Sequence, residues 1–159
     1  MKVGFVCVQN AGRSQMCTAF AEREREDRGL SDRVEIVTGG THPADAVHPV
    51  VVEAMAEAGI DLSDREPREV DEETLASCAV VATMGCSTLS LAGDVAERDW
   101  DLPDPHGEDL ATVRGIRAEC EGRVASLFDE IEAALAGEPL RARGDGGERT
   151  PGAAEGDQE

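Results

Sequence analysis

The amino-acid sequence predicts an α/β protein: a single-domain, three-layer fold in which a central four-stranded parallel sheet is flanked by helices. Short apolar segments alternate along the chain with longer segments of helical periodicity, which is the order of a parallel sheet covered on both faces. The length of 159 residues suits one compact core rather than two. Two cysteines, Cys7 and Cys86, lie where predicted strands end, the edge at which parallel sheets place their ligands.

The first half of the chain supplies two strands and two helices. Residues 2–8 form an apolar run typical of a buried strand, and residues 13–28 have apolar side chains at helical spacing before a charged end. Residues 34–38 predict a second strand closed by two glycines. A second helix is expected to begin after His48, at a proline, and to end before Gly59.

The second half completes the alternation. Residues 79–84 predict a third strand, and the segment 94–106 contains a short strand followed by a loop rich in proline. A long helix is expected from about residue 109 to Leu135, with one apolar face. We therefore place the domain at residues 1–136. Residues 137–159 are acidic and rich in glycine and proline, which predicts a disordered tail.

The charge of the chain restricts its partners. Asp and Glu number 34 against 15 Lys and Arg, so the net charge is −19, and Lys2 is the only lysine. Such a surface repels nucleic acid and anionic membranes, and we expect neither as a partner. The absence of a signal-like segment and of a long apolar run predicts a cytoplasmic protein. Acid excess with lysine depletion is the composition expected in a high-salt, halophilic interior.

The cysteines do not suggest a metal site or a disulfide framework. There are five, an odd number, and none has the CxxC spacing of a zinc ligand pair. No bound metal or cofactor is therefore predicted. Cys17, Cys78 and Cys120 occupy core positions of predicted helices or strands, so we expect them to contribute packing only.

The segment from Cys7 to Ser14 predicts an oxyanion site. Cys7 and Arg13 flank a turn between a strand and the amino terminus of a helix, where backbone N–H groups and the helix dipole favour an anion. The same environment favours a thiolate nucleophile at Cys7, to which Ser14 can donate a hydrogen bond. The alternative is a buried strand cysteine beside an ordinary turn. The predicted oxyanion-binding residues are Val8, Gln9, Asn10, Ala11, Gly12, Arg13 and Ser14.

Four motifs, in order, resemble one known family. They are CVQNAGRSQM, GGTHPADAVHPVVVEAMAEAGIDLS, VVATMGCS and DWDLPDPHG. Together they are similar to the low-molecular-weight protein tyrosine phosphatase superfamily, and more closely to its arsenate reductase branch, which uses thioredoxin or mycothiol. The resemblance extends from Lys2 to about Leu135.

The resemblance implies roles for particular residues. Asp104 in PDPH would be the general acid, although from the residues alone it is one of several acids in a turn. Cys7 would attack arsenic, and Cys86 would supply the second thiol; from local sequence Cys86 is equally a small residue that ends a strand. Thioredoxin-linked members carry a third cysteine, where this chain offers Ser87 and Ser90. The expected reductant is therefore either thioredoxin or an external small thiol.

The expected function is reduction of arsenate to arsenite, and two alternatives stay open. A phosphatase would use Cys7, Arg13 and Asp104 to form and hydrolyse a phosphocysteine. Phosphotyrosine, however, needs an aromatic wall, and this chain has no tyrosine and three phenylalanines. The other alternative is a non-catalytic oxyanion or redox sensor.

Overall fold

The described strands form one parallel sheet. The computed structural model describes residues 1–85 and 95–140, together with the backbone of residues 143–145. The strands are β1 (Lys2–Cys7), β2 (Glu35–Gly40), β3 (Val80–Met84), β4 (Ala96–Asp99) and β5 (Arg143–Asp145), in the spatial order β2-β1-β3-β4-β5. The predicted three-layer fold with four parallel strands is confirmed, and β5 extends it by one short strand.

The described part of the chain has four helices between these strands. They are α1 (Arg13–Asp27), α2 (Pro49–Glu57), α3 (Glu72–Ala76) and α4 (Leu110–Leu135). Alternate residues of β1 point to opposite faces of the sheet. Val3 and Phe5 pack in the large core that α1, α2 and α4 cover, whereas Val6 belongs to a smaller cluster with Leu75 of α3. Among the described residues, no helix combines the length and apolarity needed to cross a bilayer.

Two elements differ from the sequence predictions. Strand β2 runs through Gly39 and Gly40, which were expected to close it, because these glycines pair with Val6 and Cys7 of β1. A Cβ atom at Gly40 would lie 2.5 Å from the Val8 carbonyl oxygen, so the glycine permits this close approach. The helix α3 was missed, since it has only five residues and its start is marked mainly by a capping aspartate.

The carboxyl-terminal boundary has one unexpected feature. Helix α4 ends at Leu135, one residue before the predicted end of the domain. Within the segment predicted as a disordered tail, residues 143–145 form β5 and pair in parallel with β4. The sequence RGD has no apolar residue by which this strand could be predicted. Residues 141–142 and 146–159 lie outside the described part of the chain.

One edge of the sheet is partly covered by the chain itself. Strand β2 pairs with β1 on one side only. On its other side, the amide of Gly40 donates to the carbonyl oxygen of Arg68 (2.9 Å), and the amide of Val70 donates to the carbonyl oxygen of Gly40 (2.9 Å). The carboxyl end of this edge strand is therefore capped by residues 68–70.

Ion pairs fasten α4 to its neighbours. Arg28, just after α1, bonds to Glu24 (2.7 Å), Asp129 (2.9 Å) and Glu132 (2.7 Å). On α2, Glu57 accepts bonds from two arginines of α4. These bonds lower the pKa of Glu57 to about 2. The helices on this face are thus held together by charge as well as by apolar packing.

Candidate active site

The predicted nucleophile lies at the centre of the sheet edge. Strand β1 occupies the middle of the β2-β1-β3 group, and its last residue, Cys7, aligns with Gly40 on one side and Met84 on the other. Five residues follow before α1 begins at Arg13. Central placement and a short connection put the sulfur directly in front of the amino terminus of α1.

The sulfur of Cys7 has two hydrogen-bond partners. The amide of Asn10 donates to Sγ at 3.2 Å, and the hydroxyl of Ser14 lies 2.8 Å from it. Asn10 Nδ2, which can only donate, bonds to the same Ser14 oxygen at 2.7 Å. The Ser14 proton is consequently directed to the sulfur. A sulfur that accepts two such bonds in a buried site, with 2% of the residue exposed, is placed to carry negative charge.

Asn10 holds the loop in shape. It adopts φ of 52°, in the left-handed region that asparagine tolerates. Its Nδ2 also donates to Thr38 Oγ1 (2.9 Å), and its Oδ1 accepts from the amide of Arg68 (3.0 Å) and from Gln15 Nε2 (3.2 Å). With four side-chain bonds and no exposed surface, Asn10 joins the loop to β2, α1 and the segment around residue 68.

The backbone of the loop turns its amides inward. The carbonyl oxygens of Val8, Gln9 and Ala11 accept bonds from the amides of His42 (2.7 Å), Ala44 (3.0 Å) and His48 (2.9 Å), outside the loop. The C=O and N–H of a trans peptide point in opposite directions. The amides that follow these carbonyls, those of Gln9, Asn10 and Gly12, therefore point away from residues 42–48, and the amide of Asn10 donates to the Cys7 sulfur. Successive amides on one side of a loop are an arrangement that binds anions.

Arg13 and Asp104 meet beside this loop. Arg13 Nη1 donates to the Leu102 carbonyl oxygen at 3.1 Å, and Nη2 lies 3.9 Å from Asp104 Oδ2. The Arg13 side chain is 11% exposed, whereas that of Asp104 is 57% exposed. Gly85, with φ of +76°, lies against the guanidinium: a Cβ there would be 2.9 Å from Nη1. The guanidinium of Arg13 is held in place, and the carboxyl group of Asp104 faces solvent.

The structure brings the predicted residues of the loop together with Arg13 and Asp104. Cys86 lies outside the described residues, although Gly85, immediately before it, contacts Arg13. Sequence reasoning missed Thr38, whose hydroxyl donates to the Phe5 carbonyl oxygen (2.8 Å) while it accepts from Asn10. It also missed the structural parts of Gln15 and Gly85. The sequence marks Gln15 and Gly85 only by their position, since Gln15 follows Ser14 and Gly85 precedes Cys86.

The remaining described cysteines are buried in the core, as expected. Cys17 and Cys120 have no exposed surface, and Cys78 is 5% exposed. Burial, with the neighbouring Cys120 thiol, raises the pKa of Cys17, and burial raises the pKa of Cys78 to about 11. The thiols of Cys17 and Cys78 therefore stay protonated at neutral pH.

The strand order, the loop from Cys7 to Arg13 and the neighbouring loop that carries Asp104 together match the cysteine-based phosphatase class of α/β proteins. The chain belongs to the low molecular weight phosphotyrosine protein phosphatase family, whose family model matches residues 2–136.

Within this family, the chain is similar to proteins named as arsenate reductases. A putative arsenate reductase of Halobacterium salinarum is 65% identical over 131 residues, which cover 82% of this chain and 92% of the relative. The glutaredoxin arsenate reductase of Synechocystis is 31% identical, over 82% of this chain and 98% of the relative. The solved structure of an arsenate reductase in the phosphate-binding state has a TM-score of 0.67 at 28% identity and covers 82% and 98% of the two chains.

Proposed function

We propose that this protein reduces arsenate to arsenite. The Cys7 sulfur attacks arsenic and forms a sulfur–arsenic bond, while one arsenate oxygen leaves as water with a proton from Asp104. A second thiol then attacks Cys7 Sγ, the new disulfide forms, and the sulfur–arsenic electron pair remains on arsenic. Two thiols lose two electrons in total, and arsenic gains them.

The observation that carries this proposal is the pair of hydrogen bonds to Cys7 Sγ. A nucleophilic sulfur needs its negative charge stabilised. The amide of Asn10 and the hydroxyl of Ser14 provide this stabilisation, while the guanidinium of Arg13 bonds to Leu102 and stays available at the side for an oxyanion. The names of the similar proteins favour arsenate as that oxyanion.

The second thiol belongs to Cys86 or to an external donor. Gly85 lies against the Arg13 guanidinium and directly precedes Cys86 in the sequence, which supports Cys86 as the candidate for the second thiol. A Cys7–Cys86 disulfide would then be reduced by thioredoxin or a similar protein. Without that disulfide, a small thiol would attack the Cys7 adduct directly. We also infer a reducing, cytoplasmic setting, which both routes require.

A phosphatase is the second candidate. The assembled Cys7, Arg13 and Asp104 are sufficient to form a phosphocysteine, and the exposed carboxyl of Asp104 has solvent access for activating the water that would hydrolyse it. This reaction would need no second thiol. It therefore makes a different prediction for Cys86.

The test measures arsenite release from arsenate with thioredoxin or a small thiol as donor, and para-nitrophenyl phosphate hydrolysis in the same high-salt buffer. Cys7→Ser should abolish both activities, and Cys78→Ala is the matched control because that thiol is buried on the other face of the sheet. Loss of arsenite release in Cys86→Ser, with ester hydrolysis retained, supports the internal disulfide; unchanged arsenite release with a small thiol refutes that route.

Two outcomes would contradict the reductase itself. Fast ester hydrolysis with no arsenite from any donor would make the protein a phosphatase. Tight binding of arsenate or phosphate with no turnover of either substrate would make it an oxyanion sensor. Retained turnover in Cys7→Ser would exclude Cys7 as the nucleophile.

A further inference from the structure

Two histidine rings lie face to face beside the candidate active site. His48 precedes the first residue of α2, and His106 follows Pro105 in the loop that carries Asp104. The ring centroids are 4.7 Å apart, and the ring planes differ by 28°, which is a stacked arrangement. We call residues 101–107 the acid loop and residues 8–12 the nucleophile loop.

His48 is fixed to the nucleophile loop by two bonds. Its backbone amide donates to the Ala11 carbonyl oxygen at 2.9 Å. Its ring nitrogen Nε2 lies 3.1 Å from Gln9 Oε1, and a proton on Nε2 would donate to that oxygen. Both the backbone and the ring of His48 are therefore attached to the nucleophile loop.

His106 is fixed to Asp104 in a similar way. The backbone amide of His106 donates to Asp104 Oδ1 at 3.0 Å. Between them, Pro105 packs on the nucleophile loop so tightly that a Cβ at Gly12 would lie 2.6 Å from Pro105 Cγ. The same Cβ would lie 3.5 Å from His48 Cδ2. Pro105 and the two rings thus form one continuous contact between the loops.

The surroundings of His48 favour its neutral ring. Burial, the adjacent His106 and Arg13 all lower the pKa of His48, whereas the Asp104 carboxylate acts in the opposite direction. A neutral His48 stacks on His106 without repulsion, and its protonation would place a positive charge against a ring beside an arginine. The contact between the loops is therefore sensitive to pH on the acid side.

We propose that the stacked rings of His48 and His106 are a clamp that closes the acid loop over the nucleophile loop, so that both histidines are positioning residues for Asp104. The inference rests on the proposed function in one respect: Asp104 must deliver its proton while the loop is closed. The closure itself depends only on the contacts between the two loops.

The clamp predicts that loss of the stack lowers kcat and leaves KM nearly unchanged. In His106→Ala, the kcat for arsenate should fall by about threefold to tenfold, which corresponds to the contribution of one aromatic pair. KM should stay within about twofold because Cys7 and Arg13 are unchanged. His106→Phe should recover most of the lost kcat, since it keeps a flat ring. His42→Ala is the matched control, because this exposed histidine lies outside the stack.

The pH profile separates a clamp from simple packing. In His106→Phe, a neighbour that lowers the pKa of His48 is removed, so the pKa of His48 should rise and the acid limb of kcat should move to higher pH with it. The chain has three histidines, so NMR can follow each ring during titration. The His42→Ala variant should leave the other two titrations unchanged.

Closure of the loop can be measured without turnover. Amide exchange of His106 should be at least about threefold faster in His48→Ala, because the stack no longer holds the acid loop. If the wild type has no activity, the proposed function fails and this exchange rate alone decides the clamp. Unchanged exchange in His48→Ala, or unchanged kcat in His106→Ala of an active enzyme, would overturn the inference.

Discussion

Replacement of Ser14 by alanine should slow the chemistry of Cys7 without unfolding the protein. The Ser14 hydroxyl accepts a bond from Asn10 and directs its own proton to the sulfur at 2.8 Å. Hydrogen bonds to charged groups contribute about 1.5–3 kcal/mol. At 1.36 kcal/mol for each factor of ten, loss of this bond should lower the reactivity of Cys7 at neutral pH about tenfold to hundredfold.

The assay is alkylation of Cys7 by iodoacetamide at pH 7, with the modified peptide located by mass spectrometry and with arsenate turnover followed in parallel. Thr38→Val is the matched control. It removes another partner of the Asn10 side chain, at 2.9 Å, but leaves both donors to the sulfur in place. It should lower stability while alkylation stays within about twofold. Equal alkylation rates in Ser14→Ala and wild type would refute the assignment of the Ser14 proton to the sulfur.

Three further predictions follow from contacts near and far from the site. Gly85→Ala should weaken phosphate binding about tenfold, measured by calorimetry, because its Cβ would displace Arg13 and its φ is positive; unchanged affinity would contradict this. Arg28→Ala should lower Tm by about 2–4 °C, since it breaks the ion pairs of Arg28 with three carboxylates, which together contribute about 1 kcal/mol. The control Arg33→Ala should change Tm less, because the Arg33 side chain makes one exposed hydrogen bond to a carbonyl oxygen. Glu57→Gln should destabilise the protein at neutral pH, and the difference from wild type should vanish as pH falls toward 2, because the lowered pKa keeps this carboxylate charged in the folded state; a difference that persists at pH 2 would exclude this origin.

The sequence predicted the elements whose pattern is local. β1, α1 and α4 were placed within one or two residues, because long apolar periodicity and a strand-to-helix turn determine them. The nucleophile loop was located for the same reason. Asp104 was a different case: only the resemblance to a known family singled it out among the acids of its loop, and the structure places it 3.9 Å from Arg13.

Features that depend on contacts between residues far apart in the sequence could not be predicted. The sequence predicted that the second strand ends at Thr38, whereas β2 runs on to Gly40. These last two residues of β2 depend on the approach of Val8 and residues 68–70 from elsewhere in the chain. Thr38 is 28 residues from Asn10, and nothing in its surroundings marks it as a partner. The His48–His106 stack joins two loops 58 residues apart, each unremarkable by itself.

The capped edge of β2 has a consequence for how copies of this chain behave toward one another. An open edge strand can pair with a neighbouring molecule and begin aggregation. The net charge of −19 opposes such encounters in dilute buffer, but concentrated salt screens that repulsion to a few ångströms. Backbone pairing by residues 68–70 does not weaken in this way, since it occupies the donor and acceptor of Gly40 directly. At this end of the sheet, hydrogen bonds within the chain protect the edge strand from pairing with another molecule, and they continue to do so in concentrated salt, where charge repulsion is screened.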